Sequence, residues 1–156
     1  GQCQFINEFD ERLSLCSPSL PQSLAAFLKH DSGMLPGASS FWRRNITQSL
    51  GLLDESLIHS FDYDYQCRML ASGHQPVILN QTLAARREME TAHTAEITLA
   101  QGREYIQIAL RHAHHLNASE RGSLLRNCDY RNRIYAMAEA EKQGDPSRLR
   151  LLRPAA

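Results

Sequence analysis

The spacing of apolar residues changes near residue 94, and this change limits the fold more than any other feature of the sequence. Before it, short alternating segments and short helical segments follow one another between turn-forming residues. After it, apolar residues recur every three or four positions over two long stretches, as on one face of a helix. Asn117 and Glu120 stand between these stretches at the spacing of a capping box. We therefore expect an α/β part over residues 1–93 and a helical hairpin over residues 94–156.

The α/β part is predicted to contain four strands and three helices. The strands are expected over residues 1–7, 12–16, 75–80 and 82–86, with a turn over residues 7–11. The helices are expected over residues 19–30 and 46–50, and over a segment that begins near Asp62 and ends at Gly73. Pro21 suits the first turn of the first helix, because its missing N–H has no partner there in any case.

The positive and negative charges balance, which limits the class of partner. The chain carries 17 Lys and Arg and 17 Asp and Glu, so its formal charge is zero with neutral histidines. Its hydrophobic content of 42% with 22% charged residues is ordinary for a soluble globular protein. A protein that binds nucleic acid needs a basic surface to hold phosphates. The composition therefore argues against nucleic acid as a partner.

The four cysteines, Cys3, Cys16, Cys67 and Cys128, are scattered along the chain. Zinc ribbons and redox motifs need closely spaced cysteines, and the sequence has no CxxC pair. No apolar run approaches the roughly 20 residues that cross a bilayer. We therefore expect reduced thiols in a cytoplasmic protein, with membrane association left open.

The predicted helix near Asp62 begins with paired acids, and two interpretations of them are open. Acidic residues in a first turn complement the helix dipole and need no other explanation. A carboxylate held on a rigid helix could instead act as a catalytic base. The residues around Asp62 and Asp64 belong to an ordered set that bears on the choice between these interpretations. The ordered set is Gly37, Trp42-Arg43-Arg44, Gly51-Leu52-Leu53-Asp54-Glu55, Asp62-Tyr63-Asp64, Arg68, Gly73, Pro76 and Arg87.

This ordered set resembles the C-terminal half of the family 2 glycosyltransferases, which have the GT-A fold. No single motif is specific, but the order and spacing of the set are, and the resemblance extends over residues 1–95. It implies the C-terminal portion of a GT-A fold, followed by the helical appendage. It also implies transfer of a sugar, with inversion, from a nucleotide-diphospho-sugar to a hydroxyl. The acceptor would be a glycan or a lipid-linked molecule, as in polysaccharide biosynthesis.

The resemblance assigns roles to six residues. Asp62 stands where the family has its general base, which deprotonates the acceptor hydroxyl. The substrate-binding residues that it implies are Gly37, Ala38, Ser39, Asp64 and Arg68. A glycine at the start of this loop would let the backbone approach the donor sugar closely. Arg68 is expected to pair with a neighbouring acid and to organise the site.

The sequence departs from the family pattern at positions that concern acid and metal chemistry. Phe61 stands where members often carry a second acid, and Met89 where many carry a histidine that helps to hold the metal. A thioether is a poor ligand for a hard cation, and His93 is the nearest substitute. The family's nucleotide-binding half and its metal-binding Asp-x-Asp would precede Gly1. We therefore expect Mg²⁺ or Mn²⁺ in the intact enzyme, no metal site in these residues, and no transfer by this chain alone.

The terminal helices leave three further interpretations open. His112, His114 and His115 could form a metal-binding cluster, but no carboxylate stands at matching spacing, so a surface or interhelix packing role is favoured. The basic segment 148–153 could contact an anionic membrane surface, but it is too short to bind well alone, so a frayed terminus is the favoured interpretation. A non-catalytic relative of the family could instead be an interaction module that forms a homodimer through these helices.

Overall fold

The computed structural model describes residues 1–30, 32–33, 35–88, 99–145 and 147. The chain divides into two compact units, Gly1–Glu96 and Ile97–Ala156. In the described residues the first unit is mixed α/β with a small three-stranded sheet, and the second is helical. The α/β class expected from the sequence is therefore confirmed. The positions that lie outside the described residues include the predicted boundary between residues 93 and 94, Met89, His93 and the segment 148–153.

The sheet has the order β2-β1-β3, formed by β1 (Gln2–Ile6), β2 (Arg12–Cys16) and β3 (Thr82–Arg87). β1 runs antiparallel to β2 and parallel to β3. The first two strands form the predicted hairpin, since the Asn7 side-chain oxygen accepts two backbone hydrogen bonds across the turn, at 2.9 Å each. Two parallel strands need a long connection between them, and the helices of this unit lie in it.

Three short helices occupy this connection: α1 (Leu24–Leu28), α2 (Arg44–Leu50) and α3 (Phe61–Ala71). A single 3₁₀ turn, the Gly37–Ser39 turn, lies between α1 and α2. α2 ends at Gly51, whose φ of 79° lies in the left-handed region that favours glycine. The second and third predicted helices are therefore confirmed, to within two residues of the expected ends.

α3 contributes much of the core of the first unit. Tyr65 and Cys67 are buried on it, and burial raises the pKa of the Cys67 thiol, so that the thiol stays protonated. The Tyr63 ring packs on Phe27 with 5.3 Å between centroids, and its hydroxyl donates to the Leu28 carbonyl oxygen at 3.3 Å. The first turn of α3 is thereby fixed against α1.

Two predictions for the first unit are wrong. The helix expected over residues 19–30 begins only after Ser23, whose hydroxyl oxygen accepts a hydrogen bond from the N–H three residues on at 3.1 Å. Pro21 therefore precedes the helix instead of opening it. The segment 75–80 is irregular rather than a strand, because a short apolar run alone does not provide a partner strand and Pro76 has no N–H to donate.

The second unit is a pair of helices, α4 (Leu99–His112) and α5 (Ala118–Lys142), that pack against each other. The predicted capping box is present. The Asn117 side chain accepts from the Glu120 N–H at 2.9 Å, and the Glu120 carboxylate accepts from the Asn117 N–H at 3.1 Å. The helical hairpin is therefore confirmed over the described residues. No helix in the described part of the chain combines the length and the apolar character needed to cross a membrane.

Candidate active site

The Gly37–Ser39 turn is bound to the first residue of the chain. The Ser39 hydroxyl donates to the Gly1 carbonyl oxygen at 2.7 Å, and the Gly1 nitrogen donates to the Ser39 carbonyl oxygen at 2.9 Å. Ser39 is 1% exposed, so water competes little for these bonds. The turn also contacts β1 and β3, so the sheet fixes its position. The Ser39 hydroxyl is thus engaged within the protein, whereas Ala38 is exposed.

Asp62 lies on the first turn of α3 and faces the Gly37–Ser39 turn. Its Oδ1 atom accepts a hydrogen bond from the Tyr63 N–H at 2.8 Å. Its Oδ2 atom lies so near Gly37 that a Cβ at that position would overlap the carboxylate. Space, rather than an unusual φ, is therefore what requires glycine at position 37. The structure brings Gly37 and Asp62 together, and both were predicted site residues.

Burial raises the pKa of the half-buried Asp62 carboxyl, while nearby groups oppose the shift. The Tyr63 N–H and the N–H of Asp62 itself donate to the carboxylate, and the Arg86 guanidinium attracts it. A carboxylate with a raised pKa holds a proton more strongly than an ordinary surface aspartate. A general base works best when its pKa lies near the working pH. The surroundings of Asp62 therefore suit proton abstraction.

Arg86, and not the predicted motif residue Arg87, is the arginine whose charge acts on Asp62. Arg87 instead donates to the Asp10 carboxylate at 2.5 Å and so closes the turn between β1 and β2. The Arg86 guanidinium lies 5.5 Å from the centroid of the Phe5 ring. Successive side chains of a strand point to opposite faces, so the two arginines differ in the face they occupy, but which of them faces Asp62 depends on how β3 is paired and not on the local sequence.

Asp64 and Arg68 form an ion pair one turn apart on α3, in which the carboxylate is buried and the guanidinium is half-buried. Asp64 is 1% exposed, and the Arg68 Nε atom donates to its Oδ2 atom at 2.9 Å. The other two nitrogens of Arg68 donate to the carbonyl oxygens of Leu50 and Leu52, at 2.9 Å each. The expected pairing of Arg68 with a neighbouring acid is confirmed. The pair ties α3 to the end of α2, and contact of either side chain with a substrate stays a prediction.

A cavity of about 620 Å³, called the Trp42 cavity here, also borders the Gly37–Ser39 turn. Its walls are mainly apolar and include Trp42, Leu70 and Ile78. Ser39 is one of the lining residues. The predicted site residues that do not line it are Gly37, Ala38, Asp62, Asp64 and Arg68. The cavity and the Asp62 carboxylate are therefore separate features of the first unit that share the Gly37–Ser39 turn as a neighbour.

The described residues contain no group of three or more His, Cys, Asp or Glu side chains placed to hold a metal ion. The described residues around Asp62 therefore do not by themselves supply three protein ligands for a divalent cation. In the second unit, the rings of His114 and His115 are 3.9 Å apart, and those of His112 and His115 are 6.0 Å apart. Burial first, and then the two neighbouring imidazoles, lower the pKa of His115. His112 is buried, whereas His114 and His115 are exposed, and a surface or interhelix packing role for them stays a prediction.

Comparisons with protein-family models, with curated proteins and with solved structures gave no match for this chain. The family resemblance therefore rests on the ordered motifs alone. Any assignment of function rests in addition on the geometry around Asp62.

Proposed function

We propose that this chain is the acceptor-side part of an inverting glycosyltransferase in which Asp62 is the general base. One observation carries the proposal. The Asp62 carboxylate lies against Gly37 at the start of α3, in surroundings that raise its pKa. Residues from separate parts of the ordered motif thus meet in space. An acid that served only the helix dipole would need no glycine opposite it.

For this reaction Asp62 must be basic and must be held in a fixed position. Its carboxylate takes the proton of the acceptor hydroxyl, and the hydroxyl oxygen attacks the anomeric carbon of the donor sugar. The bond from that carbon to the diphosphate breaks, the diphosphate leaves with the electron pair, and the configuration inverts. Arg86 favours the charged form of Asp62, while the pair of Asp64 and Arg68 holds the first turns of α3 in place.

The family resemblance also implies a divalent cation, which would neutralise the departing diphosphate. The described residues offer no fitting set of ligands, so we expect the ligands to lie elsewhere in the intact enzyme. No step proposed for Asp62 depends on the cation.

The test measures release of nucleoside diphosphate by the full-length natural protein, using a panel of nucleotide sugars with glycan and lipid-linked acceptors. Asp62→Asn keeps the shape of the side chain and an oxygen for the Tyr63 N–H, but removes the base. Release should fall by about 10²- to 10⁴-fold. The control is Asp129→Asn, at an exposed position on α5, which should leave the rate unchanged. Retained turnover by a folded Asp62→Asn protein would reject the proposal.

A second candidate, a non-catalytic interaction module, is favoured by the apolar surface of α5. Tyr130 and Ile134, one turn apart on α5, are 64% and 43% exposed. Exposed apolar residues on one helix are a common feature of protein interfaces. This candidate predicts a homodimer in sedimentation experiments that dissociates in the Ile134→Glu variant, together with no turnover of any nucleotide sugar. If the protein sediments as a monomer at concentrations of tens of micromolar, this candidate is rejected.

A further inference from the structure

The Trp42 cavity has the size and the walls of a ligand site, and the proposed sugar transfer makes no use of it. Its volume of about 620 Å³ falls within the roughly 300–1,000 Å³ of small-molecule pockets. Trp42, Met69, Leu70 and Ile78 supply apolar surface to its lining. Such walls favour a ligand with an extended apolar body.

One wall is fixed by hydrogen bonds and by ring packing rather than left loose. The Gln66 side-chain nitrogen donates to the Leu35 carbonyl oxygen at 2.8 Å, and both residues line the cavity. The Trp42 ring packs on Tyr65 with 4.9 Å between centroids, and its Nε1 atom donates to the Thr47 hydroxyl at 3.0 Å. The shape of the cavity therefore exists before any ligand arrives, which lowers the cost of binding.

Among the described residues, the lining of the Trp42 cavity carries positive but no negative charge. It includes Arg43 and contains neither Asp nor Glu. Arg43 is exposed, and no carboxylate in the described part of the chain forms an ion pair with it. A guanidinium at the mouth of an apolar cavity complements an anionic head group, to which it can donate two parallel hydrogen bonds.

We propose that the Trp42 cavity binds a single-chain alkyl carboxylate, with the alkyl chain against the apolar walls and the carboxylate at Arg43. Asp62 does not line the cavity. The inference therefore stands apart from the proposed sugar transfer, and neither depends on the other. A ligand bound here would lie beside the Gly37–Ser39 turn, because Ser39 belongs to the cavity wall.

The only tryptophan of the chain lies in this cavity, so its fluorescence reports binding directly. The experiment titrates the full chain with dodecanoate, below its micelle concentration, and follows the Trp42 emission. A saturable blue shift is expected, because the alkyl chain displaces water from the indole. Decanoate should bind about fifteenfold more weakly, since each buried methylene contributes about fourfold in affinity. No saturable change with dodecanoate would overturn the proposal.

The role of Arg43 is tested with a neighbouring arginine as the matched control. Arg43→Gln should weaken dodecanoate binding about fivefold at low salt and leave dodecanol binding within twofold. Arg44→Gln should change neither, because Arg44 opens α2 and does not line the cavity. Both positions are exposed, so both variants should fold. Equal losses in the two variants, or equal affinity for dodecyltrimethylammonium, would overturn the assigned head-group chemistry.

Discussion

The buried pair of Asp64 and Arg68 leads to a stability prediction whose size follows from its contacts. Arg68 spans three acceptors, which are the Asp64 carboxylate and the carbonyl oxygens of Leu50 and Leu52, all at 2.9 Å. The guanidinium therefore joins one helix to the end of another and to the loop after it. We consider two replacements, Arg68→Lys and Arg68→Met, which remove different parts of this arrangement.

Arg68→Lys keeps a positive charge near Asp64. A single ammonium group, however, cannot reach all three acceptors, which are arranged around the planar guanidinium of arginine. It should lose about two hydrogen bonds, and at about 1 kcal/mol each the free energy of unfolding falls by about 2 kcal/mol. Arg68→Met also removes the counter-charge from a carboxylate that is 1% exposed. Removing one partner of a buried ion pair lowers the free energy of unfolding by about 3–5 kcal/mol. We expect a loss of about 3 kcal/mol for Arg68→Met, at the lower end of this range, because the Arg68 side chain is 23% exposed.

The assay is urea unfolding followed by the emission of Trp42. Because this ring packs on Tyr65 in the core of the first unit, its signal follows the unfolding of that unit. Extrapolation to water gives the free energy of each variant. The expected order is the natural protein, then Arg68→Lys, then Arg68→Met.

The matched control is the pair of Asp129 and Arg133 on α5, which has the same spacing and an N–O distance of 3.0 Å. Its side chains are 63% and 56% exposed, so Arg133→Met should cost less than about 0.5 kcal/mol, measured by the helical signal in circular dichroism. Equal costs at the two arginines, or a loss below about 1 kcal/mol for Arg68→Met, would refute the reasoning from burial.

Further predictions concern the glycine contact, the Asp62 carboxyl and the sheet register. Gly37→Ala places a Cβ against the Asp62 carboxylate and should lower the free energy of unfolding by about 1–3 kcal/mol, measured by thermal unfolding. The control Gly122→Ala, on α5, should raise it by up to about 1 kcal/mol, because no close contact opposes the new Cβ there. Equal effects of the two changes would contradict the contact between Gly37 and Asp62. The pKa of Asp62 is raised in the folded state, so the contribution of this carboxyl to stability falls as pH rises through that pKa. Asp62→Asn should therefore raise the melting temperature at pH 7 but not in acid below the ordinary aspartate range. A gain in melting temperature that is independent of pH would count against the assignment. Cys3 and Cys16 face each other across antiparallel strands, at a separation that suits a disulfide. Diamide should therefore oxidise the two thiols to an intramolecular disulfide, while diamide itself is reduced to the hydrazine. Mass spectrometry of the digested peptides should find this link, and a link to another cysteine instead would argue against the register.

Elements set by local chemistry were predictable from the sequence. Asn7 folds its own side chain over the following turn, Gly51 ends α2, and Asn117 with Glu120 caps α5. Each of these depends on hydrogen bonds or backbone angles within four residues. Such signals are present in any window of sequence and do not require knowledge of the rest of the fold.

Features that depend on distant residues were missed or misjudged. The apolar run over residues 77–79 is real, but the segment 75–80 borders the Trp42 cavity and does not pair in the sheet. The choice between Arg86 and Arg87 depends on which face of β3 looks toward Asp62, and a strand's orientation is set by its partners. The ordered motif placed Gly37 and Asp62 in one site, yet only the structure shows that the glycine accommodates the carboxylate.

The parallel pairing of β1 with β3 also has a consequence for biosynthesis. Gln2 and Thr82 are 80 positions apart and contact each other in the sheet. At 5–20 residues per second, a ribosome needs about 4–16 s to make the intervening chain. The hairpin of β1 and β2 can form within microseconds, so during this interval one edge of β1 lacks its native partner. An open edge accepts strands from other nascent chains, and a chaperone would protect this protein most before residue 82 is made.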